Sequence, residues 1–111
     1  MNISYEGIGH LAVTFPAGSC VAGKVCKIGT DGKAATCAAG DKFCGVTESV
    51  NGSQAGVQIH GFVTVDYTGT APTAGYVSLC ADGNGGVKTG AGREYLVTAV
   101  DTAAKTATFE L

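Results

Sequence analysis

The sequence predicts an all-β fold, either a small barrel or a sandwich of seven or eight short antiparallel strands. Glycine supplies 18 of the 111 residues, well above its usual share of about 7%, and glycine weakens helix interiors. Apolar and polar side chains alternate with a period of two in several short runs, which is typical of half-buried strands. A chain of this length fits one domain. We therefore predict a single β domain over residues 11–111, preceded by an arm or first strand over residues 1–10.

Seven runs of the chain carry the strand pattern. In chain order they are residues 11–15, 24–28, 43–50, 56–67, 75–80, 95–100 and 107–111. The run 56–67 is the longest, and Gly61 in its middle predicts a bulge or a close backbone approach. Asn51-Gly52 is the strongest hairpin signal in the chain. Residues 103–105 are compatible with one helical turn, and nothing else is predicted to be helical.

The sequence also matches itself weakly when it is shifted by about fifty residues. At a shift of 52, the pattern Leu11-x-Val13-x-Phe15 falls on Val63-x-Val65-x-Tyr67, and Ala22-Gly23-x-Val25 falls on Ala74-Gly75-x-Val77; Asp31-Gly32 matches Asp82-Gly83 at a shift of 51. Identities are easily found in a chain rich in Gly and Ala, so two interpretations stay open. Either the domain has two similar halves, or its strands merely share the turn chemistry of short β proteins.

The cysteine pattern indicates buried structural thiols. The five residues are Cys20, Cys26, Cys37, Cys44 and Cys80. Their number is odd, and residues 1–10 lack a signal-peptide pattern, so we expect a reducing compartment. No two cysteines are separated by two residues, and neither His10 nor His60 lies at zinc-finger spacing. The favoured interpretation is a set of small buried side chains; a metal site, disulfides and a reactive thiol are the alternatives.

Charge and motif content argue against several function classes. The net charge is −2 and no basic cluster is present, so nucleic acid is not an expected partner. No apolar run approaches the roughly 18 residues that span a bilayer, so no membrane partner is expected either. The glycine-rich run 83–88 lacks the spacing of a phosphate-binding loop and is predicted to be a hairpin turn. No catalytic constellation is found, so we expect neither an enzyme nor a cofactor.

Two features suggest contacts with other molecules instead. Ile3, Tyr5 and Ile8 precede the first clear strand, and an arm with such residues can add to the edge of another sheet. The alternative is a frayed terminus or a first strand. Phe62 stands beside His60 on the otherwise polar face of the longest run, where an aromatic residue can anchor an interface. These five residues are the predicted partner-binding residues.

Several segments give the sequence a resemblance to a known group of proteins. Residues 16–28 (PAGSCVAGKVCKI), 39–46 (AGDKFCGV) and 58–65 (QIHGFVTV) resemble corresponding segments of tailed-phage head decoration (cement) and head-fibre proteins. The resemblance covers roughly residues 11–66. It implies a compact β protein without catalytic residues, which is made in the bacterial cytoplasm and bound to the outer capsid surface of the virion.

The resemblance further implies that the major capsid protein is the partner and that the chain forms a homotrimer. Residues 1–10 would then face the capsid, and His60 and Phe62 would lie near a subunit contact. The alternative from another class is a small carbohydrate-binding or adhesion module of a phage tail or cell surface. The absence of Trp argues against that alternative.

Overall fold

A computed structural model describes residues 10–111, and within them the chain forms ten β-strands and no helix. The strands are β1 (Leu11–Pro16), β2 (Val25–Ile28), β3 (Ala34–Thr36), β4 (Gly45–Asn51), β5 (Gln54–His60), β6 (Phe62–Asp66), β7 (Gly75–Ala81), β8 (Val87–Thr89), β9 (Arg93–Asp101) and β10 (Thr106–Glu110). The all-β prediction is confirmed, with more strands than the seven or eight expected. The two additional short strands are β3 and β8, whose three residues each are too few to show an alternating pattern.

The ten strands form two five-stranded sheets of identical topology. The N-terminal sheet has the order β1-β5-β4-β2-β3, and the C-terminal sheet has the order β6-β10-β9-β7-β8. In each sheet the residue directly after the first edge strand also forms one isolated parallel bridge to the other edge strand, Ala17 with Ala34 and Tyr67 with Val87. The domain therefore consists of two similar halves. The shared strand order favours an internal repeat over the alternative that the strands merely share turn chemistry.

A bulge at the same place in both halves supports the repeat. Thr47 pairs with Val57 and Ser49 with Gly56, which leaves Glu48 as an extra residue on β4. In the C-terminal sheet the pairing of β9 with β10 shifts in the same way between Val97 and Ala99, which leaves Thr98 as the extra residue. Such an extra residue bends its strand and increases the local twist, so both sheets bend at the same position.

The register of the repeat differs from the one that the sequence predicted. The turn after β2 is closed by the Gly29 amide donating to the Lys33 carbonyl, and the turn after β7 by the Asp82 amide donating to the Gly86 carbonyl. Asp82 therefore corresponds to Gly29 and not to Asp31. The alignment of the two Asp-Gly pairs was wrong by two positions, although both pairs do lie in corresponding turns.

Gly61 separates two strands that the sequence predicted as one. β5 belongs to the N-terminal sheet and β6 to the C-terminal sheet, and Gly61 lies between them with φ of 99°. The single strand over 56–67 was therefore wrong. Because Gly61 occupies one position, the apolar alternation keeps the same phase on both sides of it, and the pattern alone shows no break.

Two turns also differ from the expectations. Asn51 and Gln54 are paired, so the β4–β5 hairpin turns through Gly52 and Ser53, one residue later than the Asn51-Gly52 signal suggested. Residues 102–105 form a turn and not a helix. Lys105 closes that turn with φ of 56°, the one positive value for a non-glycine residue within the described part of the chain.

Two apolar clusters hold the halves together and fill the N-terminal half. The larger cluster combines the inner face of the C-terminal sheet with Val25, Cys37 and Phe43 from the first half. The smaller cluster lies within the first half and contains Cys26 and Val57. Because residues of the first half complete the larger cluster, each half buries apolar surface that it would expose alone. Between residues 10 and 111, no helix is long and apolar enough to cross a membrane.

Candidate partner-binding surface

Four residues form a continuous row across the outer face of the C-terminal sheet. Tyr76 is paired with Leu96, Leu96 with Glu110, and Glu110 with Phe62. Side chains of directly paired residues lie on the same face of a sheet, so all four point the same way. We call Phe62, Tyr76, Leu96 and Glu110 the outer row.

The burial of neighbouring residues shows that this face is the outside. Tyr95, Val97, Phe109 and Val63 occupy the alternate positions beside the outer row, and all four are buried. Since alternate residues of a strand point to opposite faces, the outer row points away from the larger core cluster. Its exposure is therefore a consequence of the strand register.

Tyr76 is the most exposed apolar member of the row. Its side chain is 74% exposed, whereas no other large apolar residue within 10–111 exceeds 50%. Leu96 and Phe62 are half-buried, and Glu110 is exposed. Exposed Tyr76 is thus paired with half-buried Leu96, and Glu110 separates Leu96 from Phe62. Aromatic residues such as Tyr76 and Phe62 are enriched at interfaces.

Polar residues border the outer row on both sides. Ser78 and Glu94 form the next outward pair on one side. On the other side Thr64 and Thr108 are paired, and their hydroxyl oxygens lie 2.7 Å apart in a hydrogen bond. Apart from Glu110, the outer row is apolar and has a polar border, which is the usual arrangement of a protein–protein contact.

The crossover between the sheets fixes one end of the row. The side-chain amide of Gln58 donates to the carbonyl oxygens of His60 at 3.0 Å and of Phe62 at 3.2 Å. The backbone amide of Leu111 donates to the Gly61 carbonyl at 2.9 Å. These three hydrogen bonds hold the chain on both sides of Gly61, so Phe62 enters β6 at a fixed position.

The predicted partner-binding residues are only partly brought together. Phe62 belongs to the outer row. His60 is exposed but lies in the N-terminal sheet, where it is paired with Leu11, so it is not part of the row. Ile3, Tyr5 and Ile8 lie outside the described residues.

Sequence reasoning missed Tyr76 and Leu96 as surface residues. Tyr76 lies in the run 75–80, which was predicted as a strand, and its position between the alternating apolar residues of that run is the signal that could have found it. The pairing of Tyr76 with Leu96 had no signal in the sequence, because it depends on which strands become neighbours.

Polar groups outside the outer row form two surface ion pairs. Residues 10–111 contain no group of three or more His, Cys, Asp or Glu side chains placed to hold a metal ion. Lys27 and Asp41 form a surface ion pair, which raises the pKa of Lys27 and lowers that of Asp41. The His10 imidazole lies 3.2 Å from the Glu48 carboxylate at a second exposed pair.

Comparisons with known proteins add no relative. No family model matches the chain, and neither the curated proteins nor the solved structures contain a match to it. The function therefore has to be argued from the surface itself.

Proposed function

We propose that the protein is a structural decoration protein of a tailed-phage head, which binds the outer capsid surface as a homotrimer and stabilises the shell. The observation that carries the proposal is the outer row, in which Tyr76, exposed to 74%, is paired with half-buried Leu96 and half-buried Phe62 lies at the other end. In this proposal the outer row forms the contact between subunits. Residues 1–10 face the major capsid protein.

The physical properties of the chain suit such a role. A compact β domain with a net charge of −2 is able to stay dispersed before assembly. On a capsid, a trimer presents three copies of the same arm to a repeating lattice. Linked weak contacts then act together and give much tighter binding than one copy. Closed threefold symmetry also limits the growth of the assembly.

The subunit contact is tested by the oligomeric state of two matched variants. Tyr76→Ser removes the exposed aromatic from the outer row, and Val50→Ser removes an exposed apolar side chain from β4 on the other sheet. We expect light scattering to show a trimer for the unmodified protein and for Val50→Ser. Tyr76→Ser should weaken association at least about tenfold, or ~1.4 kcal/mol. A monomeric unmodified protein, or equal behaviour of both variants, contradicts this contact.

Capsid binding is tested by co-sedimentation with heads assembled without this protein. The full chain should sediment with the heads, and a variant that lacks residues 1–9 should remain in solution while it keeps its circular dichroism spectrum. Binding by the shortened variant would disprove the role of the arm. Failure of the full chain to bind would disprove the proposed function.

The carbohydrate-binding alternative receives less support from the grooves. A groove of 420 Å³ lies beside the end of β1 and the β4–β5 turn, and its lining contains Phe15, Lys33 and Gln54. Phe15 is the one aromatic residue that lines it. Sugar sites usually stack several aromatic rings against the ligand, so we do not propose a carbohydrate ligand.

A further inference from the structure

Two cysteines of the N-terminal sheet lie against each other. Cys26 is on β2 and is fully buried, and Cys44 immediately precedes β4. The backbone amide of Cys44 donates to the Cys26 carbonyl at 2.9 Å. Cys26 is a buried member of the smaller apolar cluster, and the Cys44 side chain packs against that cluster. All five cysteines of the chain lie in the described part, and each is a free thiol.

The two thiols differ in their access to a reactant. Cys26 is fully buried, whereas Cys44 is only half-buried, so an oxidant in solution reaches Cys44 first. The neighbouring Cys26 thiol also lowers the pKa of Cys44, while the Cys44 thiol and burial raise the pKa of Cys26.

The surroundings favour this pair over Cys37 and Cys80. Burial raises the pKa of the nearby Cys37 to about 11, so that thiol is a poor nucleophile at neutral pH. Cys80 lies on β7 in the other sheet. The buried Thr47 hydroxyl lies near Cys26, Tyr95 lies near Cys44, and Lys27 and Asp41 act on the Cys37 thiol.

We propose that Cys26 and Cys44 form a reversible intramolecular disulfide by exchange with a low-molecular-weight disulfide such as oxidised glutathione. The Cys44 thiolate attacks one sulfur of the oxidant, which breaks its S–S bond and releases one glutathione thiolate. Cys26 then loses its proton and attacks the Cys44 sulfur of the mixed disulfide, which releases the second thiolate. Two protein thiols are oxidised and one small disulfide is reduced to two thiols, so atoms and electrons balance.

The bond would tie β2 to the segment that carries Phe43. Phe43 precedes Cys44 in the chain and lies in the core cluster shared by both halves. A disulfide at this place would therefore fix the first half at its contact with the second half. Its effect would be exerted inside the domain, independent of the outer row.

The proposal is tested on the purified full chain in a series of glutathione redox buffers. Samples are quenched with acid, alkylated and mapped by mass spectrometry. We expect a single Cys26–Cys44 link that leaves three of the five thiols open to alkylation and that returns to the reduced form with excess thiol. Cys80→Ser, which removes a buried thiol of the other sheet, should form the same link.

Two further variants distinguish ordered exchange from random oxidation. Cys26→Ser should stop at a stable mixed disulfide on Cys44, and Cys44→Ser should take up no glutathione at position 26. A first-formed link between any other pair would overturn the proposal. Persistence of the mixed disulfide on Cys44 in the unmodified protein would overturn it as well.

Discussion

The ring of Tyr95 stacks on the ring of Phe43, with centroids 5.0 Å apart and planes inclined by 8°. The Tyr95 hydroxyl also donates a hydrogen bond of 3.2 Å to the Phe43 carbonyl oxygen. Phe109 packs at an angle against both rings, at 5.9 Å from Phe43 and 5.1 Å from Tyr95. This aromatic contact joins the first half of the chain to the second.

Removal of the Tyr95 hydroxyl should weaken this contact between the halves. Tyr95→Phe keeps the ring stack but leaves the Phe43 carbonyl without its partner, so we expect the free energy of unfolding to fall by about 1–2 kcal/mol. Urea denaturation followed by circular dichroism measures the change. Tyr76→Phe removes an exposed hydroxyl and should change stability by less than about 0.5 kcal/mol. Equal losses in the two variants would refute the assigned hydrogen bond.

The same hydroxyl predicts a loss of stability at alkaline pH. Burial raises the pKa of Tyr95, and the nearby Arg93 guanidinium opposes this only in part. Since the folded pKa exceeds the unfolded value of about 10, the stabilisation is present below that value and is lost as the pH rises through the folded pKa. Thermal melts across this range should show a shallower alkaline decline for Tyr95→Phe. An unchanged decline would show that other groups cause it.

Gln58 should matter because it holds the crossover between the sheets. In Gln58→Met the new side chain has a similar shape but cannot donate a hydrogen bond. The carbonyl oxygens of His60 and Phe62 therefore lose the hydrogen bonds that the buried Gln58 amide donates to them. We expect a loss of about 1–3 kcal/mol in the free energy of unfolding. Gln54→Met changes an exposed residue of the same strand and serves as the control. If both substitutions cost the same, the crossover does not depend on this side chain.

Replacement of Lys105 by glycine is expected to stabilise the folded protein. Its φ of 56° lies in the left-handed region, which costs a non-glycine residue about 1 kcal/mol. Its backbone carbonyl accepts from the Tyr67 amide at 3.0 Å, and that bond does not need the side chain. Lys105→Gly should therefore raise the melting temperature, while Lys88→Gly within β8 should lower it. A lower melting temperature for Lys105→Gly would contradict the inference that the backbone of Lys105 is strained.

The Asp41 carboxylate should give a pH-dependent contribution to stability. The hydrogen bond from Lys27 is the largest cause that lowers the pKa of Asp41. The Ala38 amide, which donates to Asp41 at 2.9 Å, lowers that pKa further. Because the folded pKa is lower than the unfolded value, the stabilisation is present above the unfolded pKa of about 4 and is lost as the pH falls through the folded pKa.

Asp41→Asn tests this contribution. The melting temperature of Asp41→Asn should be lower than that of the unmodified protein at about pH 7. At pH values well below 4 the two melting temperatures should differ much less. The difference should be modest and should shrink in high salt, since the ion pair is partly exposed. Glu94→Gln, at an exposed position of β9, should show little change at either pH. A pH-independent difference for Asp41→Asn would contradict the assigned ion pair.

Local sequence determined most of the strands and the inward or outward direction of their side chains. The runs that became β1 and β10 were recognised, and β5 and β6 were recognised as one run, because a period of two depends only on neighbouring residues. The sequence also suggested the repeat as one of two interpretations, although its register at the Asp-Gly turns was wrong. The three-residue strands β3 and β8 were missed because such short runs carry no period.

Only the tertiary structure decided which strands pair. Alternation continues through Gly61 unchanged, so the switch from one sheet to the other is set by hydrogen-bond partners far away in sequence. The outer row has the same origin. Phe62 on β6 and Tyr76 on β7 lie on one face of the same sheet because β10 and β9 pair in sequence between these two strands. Side-chain periodicity is a local property, whereas strand order comes from the burial of two sheets against a shared core, and the candidate surface follows from that order.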